Sequence, residues 1–456
     1  MISRLCRLAA LAGLAILLLA TAPAHAVPSF ALQTGQPCAA CHVGAFGPQL
    51  TAFGRAFKIG GYVQTGGDGW QSRIPVSAML LGSYTNTEKG QSQPASEHYG
   101  RNGNIAMDQI SVFLAGRITD NVGGFVQGTF SGITSTFKLD NTDLRAAVPL
   151  SAGDAELLIG ADVNNGPTVQ DPFGASYAWG FPYVASALTP TPTAQPLLAG
   201  GLAGNSIGAT LYAWYDRSLY LEAGLYNTYG PTLLTVTGNS FGPGATASPA
   251  PYVRAAYEWN WGQNSAYVGA IFLDATINPT TAPRVTTGAN GRNGYRDYVI
   301  DGGYQFLGDG THVFSVLGLI NHEEQRLNAA YNNGGSDGVA TTLNQFRLNA
   351  SYYYQQTYGA TIGWTKSWGS RNTLLYPQAS RSGSANGKPD SNAFILEADY
   401  VPFGKAESWA GPWANLKLGA QYTIYTQFNG GSANYDGAGH KASDNNTLYL
   451  FAWVLF

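Results

Sequence analysis

The sequence predicts an all-β chain: an antiparallel β-barrel of about sixteen strands, preceded by a small helical segment. Three observations predict it. Apolar and polar residues alternate with period two along run after run. The connections between runs alternate between short and long. The last run, Thr447 to Phe456, is aromatic and uncharged and ends on Phe. Charged residues make up only 11% of the chain, against 58 Gly and 27 Tyr. That balance lacks the Lys and Glu of a soluble helical protein and suits strands joined by Gly-, Asn- and Thr-rich loops. The net charge is −3, so neither sign dominates and no nucleic-acid partner is indicated.

The first element is a leader, residues 1–26. Arg4 and Arg7 form a short basic start, Leu8 to Ala20 an apolar stretch, and Ala24-His25-Ala26 a small-x-small cleavage site before Val27. The apolar stretch is shorter than the ~18 or more residues a spanning helix needs. The expectation is export to the periplasm or beyond.

Residues 27–73 form the second element, too short to bury an independent core unaided. Cys38-Ala39-Ala40-Cys41-His42 lies near its start. In a C-x-x-C-H run two thiols can add across the vinyl groups of a haem while the adjacent His ligates its iron. Cys38 and Cys41 are the only cysteines outside the leader, since Cys6 lies within it. An oxidising exterior would otherwise spread cysteines along a disulfide framework. A local disulfide, a fragment of a metal site or coincidence are the other readings. Pro48 is expected to open a helix and Gly60-Gly61 to close it. Phe46, Leu50, Phe53 and Phe57 recur at spacings that share one face of that helix. That face would cover the haem or simply pack on the barrel wall. Arg55 and Lys58 fall off it, to meet haem propionates or solvent.

Residues 74–456 form the third element, the barrel. Strands are expected near 74–86, 105–119, 122–131, 141–150, 154–163, 206–216, 218–229, 250–260, 265–275, 295–307, 311–325, 342–356, 359–369, 391–401, 413–427 and 445–456. Leu416, Leu418, Ala420, Tyr422 and Ile424, for example, alternate with Lys417, Gln421 and Thr423. A soluble sandwich could alternate likewise. It has no reason, however, to alternate tight turns such as Asp216-Arg217-Ser218 with long polar loops such as 87–104, 164–205, 230–249, 276–294 and 370–390. Short periplasmic turns and long outer loops are the outer-membrane arrangement. A terminal aromatic strand is a sticky edge unless a closed barrel pairs it with the first strand. The lumen of sixteen strands is wide enough for a channel, and the tethered 27–73 segment is the obvious part to plug it.

The mature chain offers few sixth ligands for a haem: Met79, Met107, His98, His312, His322 and His440. Met79 shares the lumen phase with Ser77, Ser83 and Thr85, near the tethered end of the first strand, and is the expected ligand. Met107 falls in its strand's lumen phase at the outer end. His98 and His440 lie in long loops, and His322 sits beside Glu323 and Glu324 at the outer rim. A His/Met pair raises a haem's potential relative to two His ligands.

The C-x-x-C-H motif, the stretch Leu50-Thr51-Ala52-Phe53-Gly54-Arg55-Ala56-Phe57-Lys58-Ile59-Gly60-Gly61-Tyr62 and a barrel of this size together resemble the fused outer-membrane monohaem cytochrome c–porin family. Its best-known members are iron-oxidising cytochromes. Asn164-Asn165-Gly166-Pro167-Thr168-Val169-Gln170-Asp171 resembles a segment of the same family. The resemblance is specific only in residues 30–80 and about 140–185. It implies one covalent haem c on Cys38 and Cys41, with His42 as proximal axial ligand; Phe53, Arg55 and Phe57 are expected around it from the helix spacing alone. It further implies a location in the outer-membrane bilayer. Electrons would pass from an extracellular donor such as Fe(II) to a periplasmic carrier. Glu97, Asp171 and Glu323 are carboxylates that could receive a hard cation, though they form no cluster in sequence. Two rivals remain: a diffusion porin whose haem segment senses redox state or gates the pore, and a haem peroxidase. No His–Arg pair in the lumen phases suits the second, and no Ser/His/Asp set or phosphate-binding Gly motif points to other chemistry.

Overall fold

The computed structural model describes residues 28–456 except 154, 241, 280–290 and 412. The leader and its cleavage site lie outside these residues. The first strands are β1 (Val76–Thr87), β2 (Asn104–Arg117), β3 (Val122–Ser131), β4 (Thr136–Ala152), β5 (Ala155–Asn164), β6 (Ser206–Tyr215) and β7 (Leu219–Thr228). A two-residue strip, β8 (Ala245–Thr246), follows. Then come β9 (Ala250–Trp261), β10 (Asn264–Asn278), β11 (Asn293–Phe306), β12 (His312–Leu327) and β13 (Ala340–Tyr354). The chain finishes with β14 (Tyr358–Gly369), β15 (Ser391–Tyr400), β16 (Asn415–Gln427) and β17 (Thr447–Leu455).

All sixteen long strands fall where alternation places them. Each pairs antiparallel with its neighbours, and β17 returns to β1 in register from Met79↔Leu455 to Thr87↔Thr447. The sheet is therefore closed. β8 only adds two rungs beside Ile277 and Asn278.

The outward phase is apolar. On β2, Ile105, Val112 and Leu114 are exposed while Ser111 is fully buried. Tyr215, Trp259, Trp261, Tyr354, Tyr358 and Tyr400 are exposed at the turn ends of their strands. An apolar exterior with an aromatic girdle is the surface of a membrane-spanning barrel. The inward phase is polar and ion-paired. Arg145 bonds Asp143 at 2.9 Å and approaches Asp162 at 3.3 Å, and Lys417 lies 3.0 Å from Glu397 and 2.9 Å from Asp399.

Three expectations are corrected. Met107 faces outward, not into the lumen. Leu81 pairs with Gln109 but Gly82 with Met107, so Asp108 bulges and reverses the phase beyond it. Residues 164–205 are not an outer polar loop. Asn165, Gln170, Asp171, Phe173 and Leu202 are all buried, because Leu197, Leu198 and Leu202 pack on the inward Ile271, Leu273, Val299 and Leu319. On the turn side, 401–414 is a longer connection that exposes Trp409 and Trp413.

Ahead of the barrel come α1 (Pro28–Thr34), α2 (Cys38–Cys41) and α3 (Ala52–Ile59). The third helix starts later than Pro48 suggests. Thr51 is its cap, its hydroxyl accepting from the Gly54 N–H at 3.1 Å. Residues 42–50 are used otherwise, in a 3-10 turn and an antiparallel bridge between His42 and Leu50. Gly60 ends the helix as expected.

Candidate functional site

α2 is a single turn, so Cys38 and Cys41, three residues apart, lie on one side of it. His42 leaves the turn in extended backbone, its N–H donating to Cys38 O at 2.8 Å. Both thiols are free. Gly54 lets α3 lie directly on this turn: a Cβ there would sit 2.3 Å from the Cys41 carbonyl oxygen.

Cys41 and His42 open on an apolar cavity of about 310 Å³, lined also by Phe30, Phe57, Met79 and Trp453. Its walls come from the N-terminal segment, the β1–β17 seam and the inward loop 172–184. Met79 is buried among Phe46, Tyr449, Phe451 and Trp453, and the rings of Phe46 and Trp453 meet edge to face at 5.1 Å. Among the described residues, no other methionine and no histidine besides His42 lines this cavity. His312 bonds Tyr352 Oη, His440 bonds Asp436, and His98 lies beside Glu97. His322 bonds Asn344 on the outer face while Glu323 turns inward, so those two do not converge.

The residues fit a c-type haem. The His42 Nδ1 is buried without a hydrogen-bond partner. Burial pushes the imidazole down to about 4, which keeps it neutral, the form that ligates iron. Burial pushes both thiols up to about 12, which keeps them protonated; Cys41 lines the cavity, while Cys38 is buried just behind it. The cavity lies in the size range of cofactor pockets. Among the described residues no three His, Cys, Asp or Glu side chains converge on a bare metal site.

The expected aromatic cover is only partly where the spacing put it. Phe57 lines the cavity, as do Phe46 and Leu50, although the last two lie outside the helix. Phe53 does not line it and is exposed. Arg55 is fully buried in the barrel wall, away from the cavity lining. Its Nη2 lies 2.6 Å from Glu258 Oε1 and 2.5 Å from Ser265 Oγ, and its Nη1 donates to Leu50 O at 2.8 Å. Lys58 does line the cavity, donating to Val169 O at 2.7 Å and pairing with Asp143 at 3.2 Å. Tyr183, Trp453 and Asn415, which sequence reasoning did not single out, border the same space. Asn415 donates to Ala45 O at 2.9 Å and reaches Cys38 Sγ at 3.5 Å. Only its position at the start of an inward-phase strand hinted at this.

No protein-family model matches the chain, and no curated protein matches it. Solved structures similar to it are outer-membrane barrels. OmpT of Vibrio cholerae, folded in vitro, is 10% identical at a TM-score of 0.43, with 84% of this chain and 96% of that one covered. An anion-selective porin from Comamonas acidovorans is 12% identical at 0.42, covering 83% and 98%. The outer membrane channel DcaP of Acinetobacter baumannii is 10% identical at 0.44, covering 84% and 96%. None of these likenesses carries a function, which has to come from the chain's own residues.

Proposed function

We propose that this chain is an outer-membrane c-type cytochrome, in which residues 28–62 plug the barrel and electrons pass between an extracellular donor and a periplasmic carrier. One observation carries the reading: Cys41, His42 and Met79, from the N-terminal segment and the first strand, line a single apolar cavity at the barrel seam. Cys38 and Cys41 would hold haem c covalently, with His42 and Met79 the side chains that would ligate its iron. When bound, the haem supplies a one-electron couple, and Met ligation biases it toward high potential.

The chain's own residues do the rest. Phe46, Phe57 and Trp453 exclude water from the site. The Arg55–Glu258 and Lys58–Asp143 pairs, with Tyr62 donating to Asp143 at 2.7 Å, fasten the segment to the inner wall. Tyr212 from β6 donates to Ile59 O at 2.7 Å. Fe(II) is the donor proposed, following the family resemblance.

The second reading is a diffusion porin gated by the same segment. The barrel architecture itself favours it, since sixteen strands enclose a lumen of channel width. One experiment separates the two: oxidised protein in liposomes, with Fe(II) outside only, followed for haem reduction and solute permeation together. Haem reduction without permeation supports electron transfer. Permeation without reduction hands the chain to the porin reading.

A further inference from the structure

Among the described residues, the cations of the inward face are each paired with an acid, with one exception; the buried acids Asp108, Glu222, Asp297 and Glu323 stand there without a cation. Arg55 pairs with Glu258, Lys58 with Asp143, Arg145 with Asp143 and Asp162, Arg254 with Asp171 and Asp301, and Lys417 with Glu397 and Asp399. Arg347 has neither an ion pair nor a hydrogen bond among the described residues. It lies mid-strand on β13, opposite Leu319 and Thr365. Leu348 beside it faces outward, exposed, while Gln345 and Asn349, two residues to either side, are inward and buried. Arg347 therefore belongs to the inner face. Its guanidinium stacks 5.3 Å from the Tyr177 ring, and its Nε is buried without an acceptor.

A cation taken from water without a counter-charge is costly unless something supplies that charge. Asp297 is engaged through Asn321 Nδ2 at 2.6 Å, and the same nitrogen reaches Tyr177 Oη at 3.1 Å. A second donor waits beside Arg347. Asn349 is 6% exposed and its Nδ2 has no acceptor. Two unanswered donors, one a planar fork, on one strand face and bordered by an aromatic ring, match an anion with coplanar oxygens.

We infer that Arg347 and Asn349, bordered by Tyr177, form an oxyanion-binding site on the inner wall. The ligand chemistry is a carboxylate or phosphate-type oxyanion, from either of two sources: a small free anion in the lumen, or a propionate of the proposed haem. Neither the fastening of the N-terminal segment nor the Cys38–Cys41–His42 turn is involved, so the free-anion source stands apart from the haem reading, while the propionate source rests on it.

The test is calorimetric titration of the detergent-solubilised full chain with inorganic phosphate. Wild type, Arg347→Gln and the Cys38→Ala/Cys41→Ala protein are compared, each checked for heat-modifiable gel mobility. Binding by wild type that weakens at least tenfold in Arg347→Gln supports a site for free anions. Binding only in the cysteine variant, abolished when Arg347→Gln is added, supports occupation by the propionate. Should Arg347→Gln not fold, Asn349→Leu replaces it, with weakening again expected. No phosphate binding in either background, or equal binding with and without Arg347, overturns the inference. A chain that carries no haem at all defeats the haem reading yet leaves the first comparison intact.

Discussion

Two segments enter the barrel, and they are held there by different physics. The N-terminal segment, 28–62, is fastened by polar bonds: Arg55 to Glu258, Lys58 and Tyr62 to Asp143, and Gln49 to Ser315. The inward loop, 164–205, has one comparable ion pair, Asp171 to Arg254 at 3.0 Å. Its outer part is held mainly by Leu197, Leu198 and Leu202 in an apolar cluster, with the Leu197 and Leu198 N–H groups donating to the buried Glu323 and Asp297. A polar lumen can receive either kind of segment, provided each buried charge brings its partner with it. Only the polar kind brings the C-x-x-C-H turn to the seam, where Met79 lies.

The largest expected effect is all or none. Cys38→Ala/Cys41→Ala should abolish haem staining on a denaturing gel while the inward loop stays protected from hydrogen exchange. Haem that acid-acetone extracts from wild type would refute covalent attachment.

Next, Arg55→Leu should loosen the N-terminal segment by about 3–5 kcal/mol, because Glu258 is left buried and unpaired. Replacing both partners with apolar residues should recover much of that loss. Amide exchange across α3 reads both effects. If Arg55→Leu leaves α3 as protected as wild type, the polar fastening is not what holds the segment.

Met79→Ala should cost about 2–5 kcal/mol as a buried truncation and remove the near-infrared sulfur-to-iron band of the oxidised protein. Survival of that band would exclude Met79 as a ligand. Met107→Ala, on the outer face, should leave it intact.

Gly54→Ala pushes a Cβ against the Cys41 carbonyl, at an expected cost of about 1–3 kcal/mol. The readout is a lower yield of haem-stained protein. An unchanged yield would mean that α3 and the C-x-x-C-H turn can slide apart freely.

The smallest effect is confined to the outer loop 428–446, which the inward loop meets through the Thr193 N–H donating to Asn429 Oδ1 at 3.2 Å. Burial raises the Asp436 carboxyl, but the Arg381 N–H and the His440 side chain outweigh it and hold the group at about 2. Since that lies below the unfolded value of 3.8, the stabilisation is present above about pH 4 and fades as pH falls through about 2. Exchange of the loop amides between pH 5 and pH 2 should quicken in wild type, and the change should be smaller in Asp436→Asn.

The sequence by itself determined what is local. Period-two alternation set sixteen strands within a few residues, because a strand's two faces are written in consecutive positions. The C-x-x-C-H turn, the helix behind it and the inward phase of Met79 were readable for the same reason. Only the tertiary structure decided what depends on closure. Arg55 lies 203 residues from Glu258, and no short window shows that its guanidinium is claimed by a strand on the far side of the chain. Met107 changed sides because a bulge at Asp108 shifts the register against β1, and single-strand periodicity cannot see its partner. The 164–205 loop reads as polar, yet Leu197, Leu198 and Leu202 find a wall that exists only once β10 to β12 stand side by side. Trp453 and Asn415 join the cavity with Met79 because the last strands close on the first, a pairing between opposite ends of the chain that costs loop entropy and is fixed only by the complete barrel.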